Sequence, residues 1–159
     1  MYFPIFGLIK AFLPAMIKNG GGQVCEIASR LLDWAFLGLV TYATSKHAVI
    51  GFVKSLQAEI SELHPGKIHF TTVCPSFINT GLFANVTAPR LTPILDQAKI
   101  AKIIFDSIET KKDFVMEPFL VKTIPLLSAV LPPKLFNSVT KIFKLHNSMD
   151  KILEKKSDH

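Results

Sequence analysis

The chain has 159 residues, 49% of them apolar, and a formal charge of +6 at neutral pH. That length suffices for one domain with a real hydrophobic core. No run of about eighteen uninterrupted apolar residues occurs, so a spanning helix is not supported. The excess charge carries no groove-reading motif, so nucleic acid is not a predicted partner. Many lysines fall late, at Lys134, Lys141, Lys144, Lys151, Lys155 and Lys156. They suit a solvated helix face or, alternatively, attraction to anionic lipid headgroups.

Residues 5–19 read as a helix, with Phe6, Ile9, Phe12, Leu13 and Met16 near one face. Pro14 must kink it or be accommodated by a local opening of the ladder. No cleavage signature follows, so this apolar start is not read as a signal peptide. Gly20-Gly21-Gly22 then ends the helix, since glycine tolerates left-handed backbone at a helix C-terminus. Residues 23–29 read as a strand and 30–41 as a loop. A helix over 42–63 stops at His64-Pro65-Gly66. Residues 68–74, with Ile68, Phe70 and Val73, form a second strand. A Pro/Thr/Asn-rich loop over 75–92 precedes a helix over 93–110, whose apolar positions are Ile100, Ile103, Ile104 and Ile108. Residues 113–117 are a short strand. From Pro118 two or three helices follow, divided at Leu131-Pro132-Pro133. Strands alternating with helices predict a parallel sheet, and the helix over 42–63 is the right-handed crossover between two neighbouring strands.

The chemistry concentrates in Tyr42-Ala43-Thr44-Ser45-Lys46. Residues i and i+4 share a helix face, so the phenol and the ammonium point the same way. A free tyrosine, with a pKa of roughly 10, is a poor acid or base at neutral pH. A nearby cation is expected to lower that value and make general acid/base work possible. Ser29 stands thirteen positions before Tyr42, at the end of the first strand. The second strand runs into Pro75-Ser76-Phe77-Ile78-Asn79-Thr80-Gly81. Cys25 and Cys74 both fall in predicted core strands and read as small buried hydrophobes, with neither a disulfide nor a metal site expected.

Taken together, Ser29, Tyr42-x-x-x-Lys46 and Pro75-x-x-x-x-Thr80 resemble the short-chain dehydrogenase/reductase family. Lys10-Ala11-Phe12-Leu13-Pro14-Ala15-Met16, Asn79-Thr80-Gly81 and Asn147-Ser148-Met149-Asp150 resemble its branch of epidermal retinol dehydrogenases and lipid-droplet 17-beta-hydroxysteroid dehydrogenases. The resemblance covers nearly the whole chain and implies an α/β fold: a partial doubly wound, Rossmann-like parallel sheet. It implies an NAD- or NADP-dependent oxidoreductase acting on a lipophilic alcohol or ketone, a retinoid or a steroid. Ser29, Tyr42 and Lys46 are the implied catalytic residues. Tyr42, Lys46, Pro75, Ile78 and Thr80 are the implied contacts to the nicotinamide end of the cofactor. The family's Gly-rich strand-to-helix turn and its ribose-reading residue have no counterpart here. The chain therefore resembles the C-terminal half of such an enzyme: residues 1–117 from the Rossmann-like domain and 118–159 a helical extension. The isolated chain is expected to be inactive. The alternative is a non-catalytic truncated relative that binds membranes or lipid droplets, or pairs with another copy.

By the same resemblance the location is the cytosolic face of the endoplasmic reticulum or of lipid droplets, or otherwise the cytoplasm. A homodimer would form through the helices over 5–19 and 42–63, with Phe52 and Leu56 as contacts where they are not core. Two positions depart from the family. Leu32 replaces a glycine, and Glu26 sits in a strand where a small or apolar residue is usual and an unpaired buried carboxylate is costly. His47 falls off the Tyr42/Lys46 face and reads as a surface or packing residue. Trp34 and Phe36 suit either a lipophilic pocket or the core.

Overall fold

The computed structural model describes residues 4–29, 40–80, 93–118 and 122–142. In chain order these hold α1 (Pro4–Lys18), β1 (Gly22–Ile27), α2 (Val40–Leu63), β2 (Ile68–Pro75), α3 (Gln97–Glu109), β3 (Phe114–Glu117), α4 (Ile124–Val130) and α5 (Pro133–Ile142). The strands form a three-stranded sheet in the order β1-β2-β3. Both pairings are parallel: Gly22 lies opposite Ile68 and Ile27 opposite Val73, while Thr72 lies opposite Phe114 and Pro75 opposite Glu117. The expected α/β architecture with a parallel sheet is thus present, and α2 is the crossover from β1 to β2.

Burial explains why β2 is central. Alternate strand residues point to opposite faces, and residues 71–77 are all buried. Phe70 and Cys74 face a cluster built by Leu13 of α1 and Val49, Ile50, Val53 and Ile60 of α2. Thr71 lies on the other face, where the Gln23 side-chain amide donates to its hydroxyl at 3.0 Å and to the Ile108 carbonyl at 3.1 Å. That pair of bonds ties α3 to the sheet. Strands covered on both faces in this way carry near-continuous apolar runs.

Element ends differ from expectation for local reasons. The helix expected from residue 93 starts at Gln97, because Asp96 caps it. Its carboxylate accepts from the Ala98 and Lys99 amides at 2.9 and 3.1 Å. Pro14 lies inside α1 without ending it. The helix at 42–63 begins two residues earlier, at Val40, and ends at Leu63 as expected. Phe52 and Leu56 are partly buried and pack against the α1/α2 core, Phe52 with its ring 4.3 Å from that of Phe6. The apolar side chains that α1 leaves exposed are Phe6, Leu8 and Phe12. Leu32, Trp34, Phe36 and the Asn147–Asp150 stretch lie outside the described residues.

The turn from α1 into β1 is where glycine is required. Gly20 and Gly21 have φ of 101° and 128°, and the Gly21 amide closes the helix by donating to the Met16 carbonyl at 2.9 Å. A Cβ on Gly21 would stand 2.2 Å from the Lys67 carbonyl oxygen, whereas one on Gly20 meets nothing within 4 Å. Gly21→Ala is therefore expected to destabilise the fold by about 2 kcal/mol or more, through strain and a backbone clash. Gly20→Ala carries the conformational strain alone, about 1 kcal/mol. Denaturant titration of the two variants checks the order.

Candidate active site

The site lies where β1 and β2 end on the same rim of the sheet. Parallel pairing forces this, since Ile27 lies opposite Val73 and both strands run the same way. Ser29 stands two residues past the end of β1 and is buried. Tyr42 and Lys46 stand one turn apart in the first part of α2, both partly buried. There α2 holds its own backbone with side chains: Thr44 donates to the Val40 carbonyl at 2.9 Å and Ser45 to the Tyr42 carbonyl at 2.7 Å. His47 is exposed, with its ring Nδ1 2.9 Å from the Ala43 carbonyl.

Three expected catalytic side chains come together here. The hydroxyls of Ser29 and Tyr42 share a hydrogen bond. The Lys46 ammonium donates to the Ile27 carbonyl at 2.8 Å, two residues before Ser29. The electrostatics run against the expectation for Tyr42. Burial pushes its phenol above the ordinary value, and the Ser29 bond only partly offsets this. The expected lowering by Lys46 is not among the causes of the shift.

Glu26, the carboxylate that departs from the family pattern, belongs to this neighbourhood. Burial raises its pKa, while the Lys46 charge and the Ile27 backbone N–H pull it down. Burial, together with Glu26, also raises the Cys25 thiol, which makes that cysteine a poor nucleophile.

The remaining expected contacts lie on the loop after β2. Pro75 is its last residue. Ile78 bridges to Leu95, with the Asn79 amide donating to the Leu95 carbonyl at 2.9 Å and the Leu95 amide to the Phe77 carbonyl at 2.7 Å. The Gln97 side-chain amide holds the Asn79 carbonyl. Thr80 is partly buried, its amide donating to the Ile78 carbonyl at 2.7 Å. The rest of the expected substrate loop, 81–92, lies outside the described residues. Two participants were not picked out from sequence. Ile27 acts through its backbone, which no side-chain motif announces. Ser76 has a buried hydroxyl with no hydrogen-bond partner among the described residues, and its place directly after Pro75 was the available signal.

These groups fit one end of a nicotinamide dinucleotide. A cation, two linked hydroxyls and an orphaned buried hydroxyl suit a polyhydroxylated ribose and a carboxamide. Among the described residues no glycine-rich strand-to-helix turn offers a pyrophosphate cradle. The only run of adjacent glycines, Gly20 to Gly22, joins a helix to a strand.

Residues 1–91 match the family described as short chain dehydrogenase. The chain belongs to that family. Among curated relatives, it is 30% identical over 137 residues to 17-beta-hydroxysteroid dehydrogenase 13 of Rattus norvegicus, covering 86% of this chain and 45% of that one. Epidermal retinol dehydrogenase 2 of Mus musculus is 37% identical, over 80% of this chain and 42% of its own length. Estradiol 17-beta-dehydrogenase 11 of Homo sapiens is 32% identical, over 81% and 43%. The chain thus spans less than half the length of these relatives. A solved short chain dehydrogenase from Burkholderia cenocepacia, in complex with NADP, superposes with a TM-score of 0.67 at 23% identity, over 81% of this chain and 51% of that one. One from Burkholderia phymatum, in complex with NAD, gives 0.61 at 19% identity, over 74% and 51%. These two carry the fold, and the matched relatives carry the family.

Two titrations follow. The sequence holds two tyrosines, Tyr2 and Tyr42, so phenolate absorbance resolves them. Tyr42 should ionise later than an ordinary phenol, and Ser29→Ala should delay it further by removing the bond that favours phenolate. Because folding favours the neutral phenol, Tyr42 should make stability fall as pH climbs above about 10, and Tyr42→Phe should flatten that fall. Glu26 gives the second. It keeps its proton to higher pH in the fold than in the unfolded chain, so stability should be greatest below the ordinary carboxylate range and decline as pH rises through it. Glu26→Gln should remove that decline, with Lys46 and Cys25 as the neighbouring titratable groups; chemical denaturation across the pH range checks the slope.

Proposed function

We propose that this chain is the catalytic-end portion of an NAD(P)-dependent dehydrogenase acting on lipophilic secondary or primary alcohols of retinoid or steroid class. The observation that carries the reading is the Ser29–Tyr42 hydroxyl pair beside Lys46. The family assignment and relatives named for retinol and estradiol support the substrate class.

In this reading Ser29 hydrogen-bonds the substrate oxygen and steadies charge that develops on it. Tyr42 hands a proton to that oxygen in reduction, or takes the hydroxyl proton in oxidation. Its raised pKa leaves the phenol protonated near pH 7 but a weaker acid than a free tyrosine. Acting as a base requires a cation close by, and Lys46 is the group on the same helix face that can supply one. Lys46 also binds ribose hydroxyls, while Thr80 and the backbone near Ile78 hold the carboxamide. The bound dinucleotide supplies the hydride acceptor or donor.

The 159-residue chain alone is expected to show little or no NAD(P)-dependent turnover of retinol or steroid alcohols, since its described residues offer no cradle for the phosphates. Positioning is most of what a protein contributes to hydride transfer. Joined in one chain to the N-terminal half of a matched relative, it should turn over. Tyr42→Phe in that protein should then lower kcat by about a hundredfold or more, the usual worth of a positioned acid/base. Substantial turnover by the 159-residue chain, abolished by Tyr42→Phe, would overturn the claim that a second half is required.

A further inference from the structure

Apolar side chains that neither the core nor the candidate site uses gather at the corner between α4 and α5. Leu126, Leu127 and Val130 of α4 and Leu135 of α5 are 67%, 41%, 71% and 51% exposed. Leu126 and Val130 stand one turn apart with Leu127 beside them, so the three share one side of α4. Pro132 and Pro133 are exposed as well and carry the apolar run through the corner to Leu135. The backbone of that corner is closed on itself. The Leu131 amide donates to the Leu127 carbonyl at 2.9 Å, and the Pro132 carbonyl accepts from the Leu135 and Phe136 amides at 2.9 and 3.0 Å. The two prolines have no N–H to satisfy. Backbone bonded in this way can enter apolar surroundings without stranding polar groups.

The charge around the corner is of one sign. Residues 118–149 include Lys122, Lys134, Lys141 and Lys144 and no aspartate or glutamate, against twelve acidic residues in the whole chain. A solvated helix face ordinarily mixes both signs, as α3 does, where Lys102 pairs with Asp106 at 2.7 Å. We infer that the α4–α5 corner docks on an anionic phospholipid surface. Leu126, Leu127, Val130 and Leu135 enter the boundary between headgroups and acyl chains, and the surrounding lysines meet the negative headgroups. Among the described residues no helix is long and apolar enough to cross a membrane, so the corner lies on the surface. A second copy seated on the same patch would set one lysine-rich face against another. A purely apolar partner would leave the lysines without counter-charge. An anionic lipid surface answers the exposed leucines and the lysines together, and the inference requires no dehydrogenase chemistry.

The test is flotation of the 159-residue chain with lipid vesicles and involves no turnover, so its outcome is separate from that of the proposed function. The chain should float with vesicles of mixed phosphatidylcholine and phosphatidylserine. With phosphatidylcholine alone, or at high salt, binding should fall sharply. Leu126→Ser combined with Leu127→Ser should weaken binding to the mixed vesicles by about tenfold or more, and Lys134→Glu by about tenfold. Leu8→Ser, at a comparably exposed position of α1, should leave it unchanged. No binding to the anionic vesicles overturns the inference. So does binding that survives the paired leucine change, or that Leu8→Ser weakens as much. Sedimentation without vesicles supplies the last arm: a dimer that the paired leucine change dissolves would assign the corner to a second copy and overturn the lipid reading.

Discussion

Everything at the candidate site depends on the parallel pairing of β1 with β2. Two strands that run the same way must be joined by a crossover, and α2 is that crossover. Its first turns consequently lie over the rim where both strands end. Ser29 arrives there from β1, Tyr42 and Lys46 from α2, and the Pro75–Thr80 loop from β2. A one-residue slip between the strands would exchange their faces. It would move Phe70 and Cys74 out of the α1/α2 core and separate Ser29 from Tyr42. The fully buried Phe70 and Val53 oppose such a slip, since exposing either would forfeit roughly 1.5–3 kcal/mol of burial. The hydrophobic core and the chemical site are therefore fixed by the same register.

Within that frame, the ionisable groups are governed by burial more than by pairing. Tyr42, Glu26 and Cys25 are all displaced in the direction that keeps them neutral, and desolvation is the largest cause each time. One cation, Lys46, is the opposite charge that Glu26 feels. It sits between a phenol that would need it to act as a base and a strand edge that needs it as a hydrogen-bond donor. A single ammonium with three donors on a flexible stem is suited to such divided service.

The sequence made some of this legible. Pro65-Gly66 marked the end of α2, and Gly20 to Gly22 the end of α1. The four-residue step from Tyr42 to Lys46 required only helical periodicity. The meeting of Ser29 with Tyr42 came from the family resemblance. What stayed hidden shares a physical cause. The direction of the Tyr42 shift depends on how much water the fold removes from the phenol, which spacing does not encode. The Lys46 partner is a backbone carbonyl nineteen residues away, and every residue type carries one. The start of α3 was read too early because the apolar pattern was weighed above Asp96, whose carboxylate supplies the missing acceptor for the first amides. Helical spacing left Phe52 and Leu56 open to core or surface; both pack against the core, Phe52 beside Phe6 of α1.

The same reasoning bears on why a nearly complete set of acid, base and orienting groups need not amount to an enzyme. Proton transfer through Tyr42 contributes a factor on the order of a hundred to ten thousand. Holding two reactants in line contributes far more, as effective molarities of about a hundred thousand or higher indicate. The described residues offer hydroxyls and one ammonium to the nicotinamide end of a cofactor and nothing of a phosphate cradle. Binding energy gathered at the phosphates would otherwise fix the ring over the substrate carbon. Without it, the nicotinamide would depend on a lysine already committed to Ile27.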